Sequence, residues 1–144
     1  MNEDQINYLL KDIKTDKERV KKSIYAILHI YNLKLDEIIV YRKKLNPSEI
    51  FIAAIEECNL ESAKKIMKKK YQNILPAPIT VIEYRKKYYL FMGSNRSIIF
   101  ILKGEIPDSV IVKIPDITKT PIFVSEAKVT LQEILEKQKK PTSN

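Results

Sequence analysis

The sequence predicts an α+β fold, with a small mixed sheet that contains a β-hairpin and short helices and is preceded by further helices. Apolar residues in the first 35 positions recur at helical spacing, whereas those after Pro76 alternate with polar residues as in strands. The 144 residues are 44% hydrophobic and 31% charged, a balance that allows a buried core. We therefore predict a helical N-terminal extension over residues 1–35 and an α+β domain with a C-terminal helix over residues 36–144.

Two helices are predicted in the N-terminal extension. Their apolar faces are Ile6, Leu9, Leu10 and Ile13 in the first, and Val20, Ile24, Ile27 and Leu28 in the second. Thr15 and Glu18 have the spacing of a capping box that would open the second helix. The next segment, residues 36–45, is rich in β-branched residues and is predicted as a strand, although its length also allows a helix.

Residues 46–71 are predicted as two helices. In the sequence LNPSE, Asn46 is a suitable N-cap, Pro47 suits the first helical position and Glu49 completes a capping box. We expect this helix to continue through Ile55 and to break near Asn59, before a short helix over residues 61–71.

The pattern after Pro76 is that of a sheet. Residues 79–84 and 87–92 alternate like two strands of a hairpin, with Arg85 and Lys86 at the turn. A short helix between Gly93 and Gly104 and a strand over residues 109–114 are expected to follow. IFVSEA, from Ile122, is predicted as one more strand. Thr130 and Glu133 form a capping box for a last helix, and the final KKPTSN is predicted to be a frayed end.

Composition excludes several classes of protein. The only cysteine, Cys58, rules out an internal disulfide and a cysteine-rich zinc module, and the only histidine, His29, argues against a histidine-based metal site. No apolar run is long enough to span a membrane, so we expect a cytoplasmic protein without a membrane partner or a metal site. The net charge of +8 favours partners that carry phosphate, although a lysine- and glutamate-rich surface is also typical of heat-adapted proteins.

Glycine is scarce in this chain, which contains two where an average composition would give about ten. Gly93 begins the sequence GSNRS at the predicted junction of strand and helix. Glycine permits close approach to the backbone, and the amides at a helix N-terminus favour an anion. We predict a phosphate-binding turn whose residues are Gly93, Ser94, Asn95, Arg96 and Ser97.

The segment from Pro76 to Ile114, PAPITVIEYRKKYYLFMGSNRSIIFILKGEIPDSVIVKI, resembles the core of the ParB/sulfiredoxin-like superfamily. In that superfamily a Pro-led strand, a second strand, a Gly-x-x-Arg turn, a helix ending in glycine and a further strand follow in this order. The resemblance implies that Gly93 to Arg96 bind the phosphates of a nucleotide such as ATP, ADP or CTP, with magnesium. It also implies a DNA-associated role.

The sequence departs from that superfamily at positions that matter for catalysis. Met92 stands where phosphotransferase members often have aspartate, Asn95 replaces a histidine, and the turn lacks the cysteine of sulfiredoxin. LNPSE resembles the archaeal free-serine kinases, in which a glutamate near such a position is the base, and this would map onto Glu49. A capping role explains Glu49 without catalysis and is the favoured interpretation. Binding without catalysis is therefore favoured, and an ATP- or ADP-dependent phosphotransferase or nucleotide hydrolase is the alternative.

Basic residues close to aromatic ones suggest a nucleic-acid partner. The residues expected to contact nucleic acid are Arg85, Lys86 and Lys87 at the hairpin tip and Lys68, Lys69 and Lys70 at the end of a helix. A third possibility is a non-enzymatic partner-binding or regulatory subunit. In that case the amphipathic terminal helices, residues 2–13 and those from Leu131, would pack against a second chain, for example in a homodimer.

Overall fold

A mixed β-sheet forms the centre of the protein in a computed structural model, which describes residues 1–139. Its strands within that range are β1 (Ile39–Lys44), β2 (Ile50–Ile52), β3 (Ile79–Tyr84), β4 (Lys87–Met92), β5 (Asp108–Lys113) and β6 (Val129–Thr130). Their spatial order is β1-β5-β3-β4-β2-β6, in which β5 and β3 are parallel, β4 and β2 are parallel, and the other neighbours are antiparallel. Nearly all of the predicted frayed end lies outside the described residues.

Helices cover both faces of the sheet. They are α1 (Glu3–Leu9), α2 (Lys17–Ile30), α3 (Leu60–Lys70), α4 (Ser94–Leu102), α5 (Ile122–Glu126) and α6 (Leu131–Lys139). One core joins α1, α2 and α5 to one face of the sheet, and a second core joins α3, α4 and α6 to the other face. Helices and a mixed open sheet in this arrangement confirm the predicted α+β class.

The N-terminal helices share a core with the sheet. Ile6 of α1 and Ile24 of α2 are fully buried in the cluster that contains Val112 of β5. The apolar face of α6 is likewise buried against the opposite side of the sheet, through Leu131 and Ile134. The apolar faces that the partner-binding alternative assigned to a second chain are therefore covered within this chain.

Several elements agree closely with the predictions. Residues 39–44 form a strand, which settles the ambiguity of the segment 36–45. The hairpin β3–β4 turns at Arg85 and Lys86, which both have positive φ (49° and 66°), as in a type I′ turn. The turn matches the right-handed twist of the strands and fixes the register from Tyr84–Lys87 to Val81–Leu90. A β-bulge then shifts the pairing by one residue, so that Met92 lies beside Thr80 at the far end. The predicted helices at α3, α4 and α6 are present.

Three local predictions are wrong. LNPSE opens only a single 3₁₀ turn, after which residues 50–52 become β2, because β-branched and aromatic residues fill the space between β4 and β6. IFVSEA forms the helix α5 after Pro121, since β6 takes the place beside β2. The Thr15–Glu18 capping box does not form: α2 begins one residue later, after Asp16 in the left-handed region (φ 57°).

Candidate functional site

The turn between β4 and α4 is built around Gly93. Its φ of 110° lies in the region that side chains disfavour, and a Cβ atom at this position would lie 2.8 Å from Cγ2 of Ile79. The first hydrogen bond within α4 runs from the amide of Ser97 to the carbonyl of Gly93 (2.8 Å). The preceding amides of the helix, those of Ser94, Asn95 and Arg96, therefore have no partner within it.

Arg96 is the unusual residue of this turn, because its side chain is only 7% exposed. Its Nη1 donates a hydrogen bond to the carbonyl of Pro78 at 2.8 Å, whereas its buried Nη2 has no hydrogen-bond partner among residues 1–139. Burial lowers the pKa of Arg96, but a guanidinium stays charged at any physiological pH. An unpartnered buried donor is costly, so Nη2 is a candidate donor to an acceptor that residues 1–139 do not supply.

A cleft of about 820 Å³ lies beside Arg96, at the end of the sheet where β3 begins and β4 ends. We call it the basic cleft. The residues that define it are Arg19, Lys69, Lys70, Tyr71, Gly93 and Arg96. Arg19 comes from α2 on one face of the sheet, and Lys69 and Lys70 come from the end of α3 on the other. The cleft therefore lies between the two helical layers.

The charges of the basic cleft are mostly positive. Arg19, Lys69 and Lys70 are exposed, while Arg96 lies buried beside them. Two carboxylates lie close by: Glu57 lines the cleft, and the charge of Asp16 partly opposes the lowering of the Arg96 pKa. Four cationic side chains around one concave surface favour a ligand with several negative charges.

The remaining residues of the predicted turn have different environments. Ser94 and Asn95 line the basic cleft, and the Oδ1 atom of Asn95 is buried without a hydrogen-bond partner in the described chain. Ser97 is fully buried and donates from Oγ to the carbonyl of Ser94 at 2.6 Å, so its hydroxyl stabilises the first turn of α4. Of the five predicted residues, Ser97 is the one that does not line the basic cleft.

The structure separates the predicted basic residues into two groups. Lys69 and Lys70 line the basic cleft, and Lys68 is exposed on the same turn of α3. The hairpin tip, which carries Arg85, Lys86 and Lys87, lies at the other end of β3 and β4, about 17 Å away along six-residue strands. There the guanidinium of Arg85 forms an ion pair with Asp116 at 3.2 Å.

Glu49 and Cys58 lie outside the residues that line the basic cleft. The Glu49 carboxylate accepts a hydrogen bond from the backbone amide of Asn46 at 3.2 Å, which is a capping contact. Cys58 is buried in the core beneath α3, and burial raises the pKa of its thiol to about 11. A thiol with so high a pKa is unreactive at neutral pH.

Sequence reasoning missed Arg19, Glu57 and Tyr71. Each lies in a different segment, and the topology of the sheet rather than any local motif brings them to the Gly93 turn. Tyr71 directly follows Lys70 and ends α3, so its position beside a lysine cluster is the one signal that the sequence offered. Arg19 and Glu57 belong to ordinary charged segments that carry no such signal.

In comparisons with known proteins, no family model matches the chain, and no curated protein is significantly similar to it. Within residues 1–139, none of the helices has the length and apolar character needed to cross a membrane.

Proposed function

We propose that this protein binds the phosphate groups of a nucleotide in the basic cleft. The observation that carries the proposal is the guanidinium of Arg96: this residue lines the basic cleft, and its buried Nη2 atom has no hydrogen-bond acceptor among residues 1–139. A phosphate oxygen is an acceptor that suits a guanidinium in charge and geometry. The amides at the start of α4 and the helix dipole would stabilise the same anion.

Affinity is expected to rise with the number of phosphate charges. Arg19, Lys69 and Lys70 surround the cleft, so a triphosphate would contact cations that a single phosphate cannot reach together. Magnesium would accompany the nucleotide as the counter-ion of its phosphates. The resemblance to the ParB/sulfiredoxin-like superfamily supports the same ligand class, since its Gly-x-x-Arg turn corresponds to Gly93 to Arg96.

Calorimetric titration with ATP, ADP, CTP and GTP, with and without magnesium, tests this proposal. Wild type is compared with Arg96→Met, which keeps side-chain bulk, and with Arg85→Met, which removes an exposed arginine from the far end of the hairpin. We expect binding that is lost in Arg96→Met and kept in Arg85→Met. Absence of binding to all four nucleotides, or equal binding by the two variants, would overturn the proposal.

Nucleic acid is the second candidate ligand, and the exposed lysines at the end of α3 favour it. Lys68, Lys69 and Lys70 lie in succession, and two of them line the basic cleft, so a phosphate backbone could follow them. We propose a DNA-associated role on this ground. Its test is the dependence of DNA binding on salt concentration.

Turnover measurements on the same samples distinguish a binding protein from a phosphotransferase. Glu49, the residue that would act as base in a kinase-like reaction, caps a turn away from the basic cleft, whereas Glu57 lines it. We therefore favour binding without catalysis. We propose the cytoplasm as the compartment, because nucleotides are found there and a single free cysteine needs no oxidising environment.

A further inference from the structure

A second cavity, of about 310 Å³, adjoins the basic cleft. We call it the aromatic pocket, after its lining residues Tyr31, Tyr89, Phe91 and Phe123. The rings of Tyr89 and Phe123 lie 4.9 Å apart between centroids, and those of Tyr31 and Phe123 lie 5.8 Å apart at 78°. Such a pocket offers flat apolar surfaces and edges to a planar ligand.

The two cavities share part of their walls. Glu57, Phe91 and Ser94 line both the basic cleft and the aromatic pocket. The carboxylate of Glu57 is exposed at this junction, and the hydroxyl of Ser94 lies 3.5 Å from it. A ligand that extended from one cavity into the other would therefore pass the Glu57 carboxylate.

We infer that the two cavities form one site for a ribonucleoside polyphosphate, with its phosphates in the basic cleft, its ribose beside Glu57 and its base in the aromatic pocket. This inference rests on the proposed function and adds the ligand class to it. Cations, a carboxylate and aromatic rings follow one another along the site. In such a ligand the phosphates, the hydroxyl-bearing sugar and the planar base follow in the same order.

The carboxylate of Glu57 distinguishes a ribonucleotide from a simple polyphosphate as the ligand. Beside a phosphate site a carboxylate repels the ligand, so its presence is unfavourable unless it accepts hydrogen bonds. The 2′- and 3′-hydroxyls of ribose are donors of the right kind, and acidic residues bind them in other nucleotide sites. Glu57 is therefore expected to weaken the binding of inorganic polyphosphate while it strengthens the binding of a ribonucleotide.

A comparison of three probes tests the inference: a ribonucleoside triphosphate, its 2′-deoxy counterpart and inorganic tripolyphosphate, with ATP, CTP and GTP each serving as the nucleotide. For at least one base, we expect the ribonucleotide to bind roughly tenfold or more tightly than the deoxynucleotide, as for loss of one hydrogen bond to a charged group. Tripolyphosphate should bind more weakly than either nucleotide.

Two variants with matched controls assign the effect to residues. Glu57→Ala should weaken ribonucleotide binding and leave tripolyphosphate binding equal or tighter, whereas Glu56→Ala, in the same exposed turn, should change neither. Phe123→Leu should weaken both nucleotides without affecting tripolyphosphate. The control Ile122→Ala alters an exposed neighbour that is 69% accessible and should have no effect.

The outcomes separate this inference from the proposed function. If tripolyphosphate binds as tightly as the nucleotides and Glu57→Ala changes no affinity, the phosphate site stands and the base and ribose subsites are overturned. If none of the probes binds, the proposed function fails and this inference fails with it. Folding of each variant is checked by thermal unfolding, which should remain one cooperative transition with a midpoint above the temperature of the binding assay.

Discussion

The guanidinium of Arg96 lies directly against Gly93. A Cβ atom at Gly93 would lie 3.0 Å from Nη2 and 3.2 Å from Nε of Arg96, closer than side chains normally approach. The absence of a side chain at Gly93 therefore permits the arginine to fold back over the turn, where Nη1 reaches the carbonyl of Pro78. The glycine and the arginine of the GSNR sequence act as one structural unit.

Gly93→Ala should consequently destabilise the protein by about 1 to 3 kcal/mol, because it combines a disfavoured φ with contacts to Ile79 and Arg96. The matched control is Gly104→Ala. Gly104 also has a positive φ (76°), but a Cβ there would meet no described atom within 4 Å, so backbone strain alone should lower its stability. Chemical denaturation measures both variants, and equal losses would contradict the role assigned to the contacts around Gly93.

Arg96→Met should weaken the binding of phosphate ligands without lowering the stability of the protein. The substitution removes a buried charge with an unpartnered donor, a change that is often neutral or stabilising, although the carbonyl of Pro78 loses its partner. We expect an unfolding midpoint close to or above that of wild type, together with a roughly 10- to 100-fold loss of affinity for tripolyphosphate. A large fall in the midpoint would instead identify Arg96 as a structural residue.

Binding of duplex DNA through the lysines of α3 should depend steeply on salt concentration. Each lysine that neutralises a phosphate contributes about one unit to the slope of log K against log salt concentration. Replacing Lys68, Lys69 and Lys70 with glutamine should thus lower the slope by about three. The comparison variant instead replaces Arg85, Lys86 and Lys87 at the distant hairpin tip with glutamine. If the slope fell in this variant alone, DNA would contact the hairpin tip and not α3.

Cys58 should make the protein less stable in alkali. Burial raises the pKa of its thiol from 9.0 to about 11, so the unfolded chain releases this proton at lower pH than the folded chain does. The buried neutral thiol therefore contributes fully to the free energy of unfolding below pH 9. This contribution falls by about 2 kcal/mol as the pH rises towards 11. Denaturant titrations between pH 8 and 11 should show a shallower decline for Cys58→Ala. Identical slopes for the two proteins would contradict this assignment.

The sequence predicted the fold well wherever a pattern was long. Six-residue alternation identified the hairpin, and the scarcity of glycine drew attention to Gly93. Short segments were harder, because Ile50 to Ile52 and Ile122 to Val124 have nearly the same composition, yet one is a strand and the other is helical. The difference is that residues 50–52 have neighbouring strands with which to pair at the edge of the sheet. A local sequence pattern does not show which strands will be neighbours.

The candidate site was predictable only in part. GSNR lies within one turn, so its capacity to bind an anion follows from residues that are adjacent in the sequence. The burial of Arg96 was not foreseen, because it depends on the close approach of Ile79 and Pro78 from the start of β3. Arg19 and Glu57 entered the site through the topology of the sheet, which brings together segments far apart in the chain.

Three helices contribute to the walls of the basic cleft, through Arg19 of α2, Lys70 of α3 and Arg96 of α4. A ligand bound by all three helices would connect the two helical layers for as long as it stayed bound. Occupancy should then slow local opening of α2 as well as of α4, and should raise the free energy of global unfolding with the logarithm of the ligand concentration above Kd. Amide hydrogen exchange along α2 would thus report on a ligand that is bound mainly by another part of the chain.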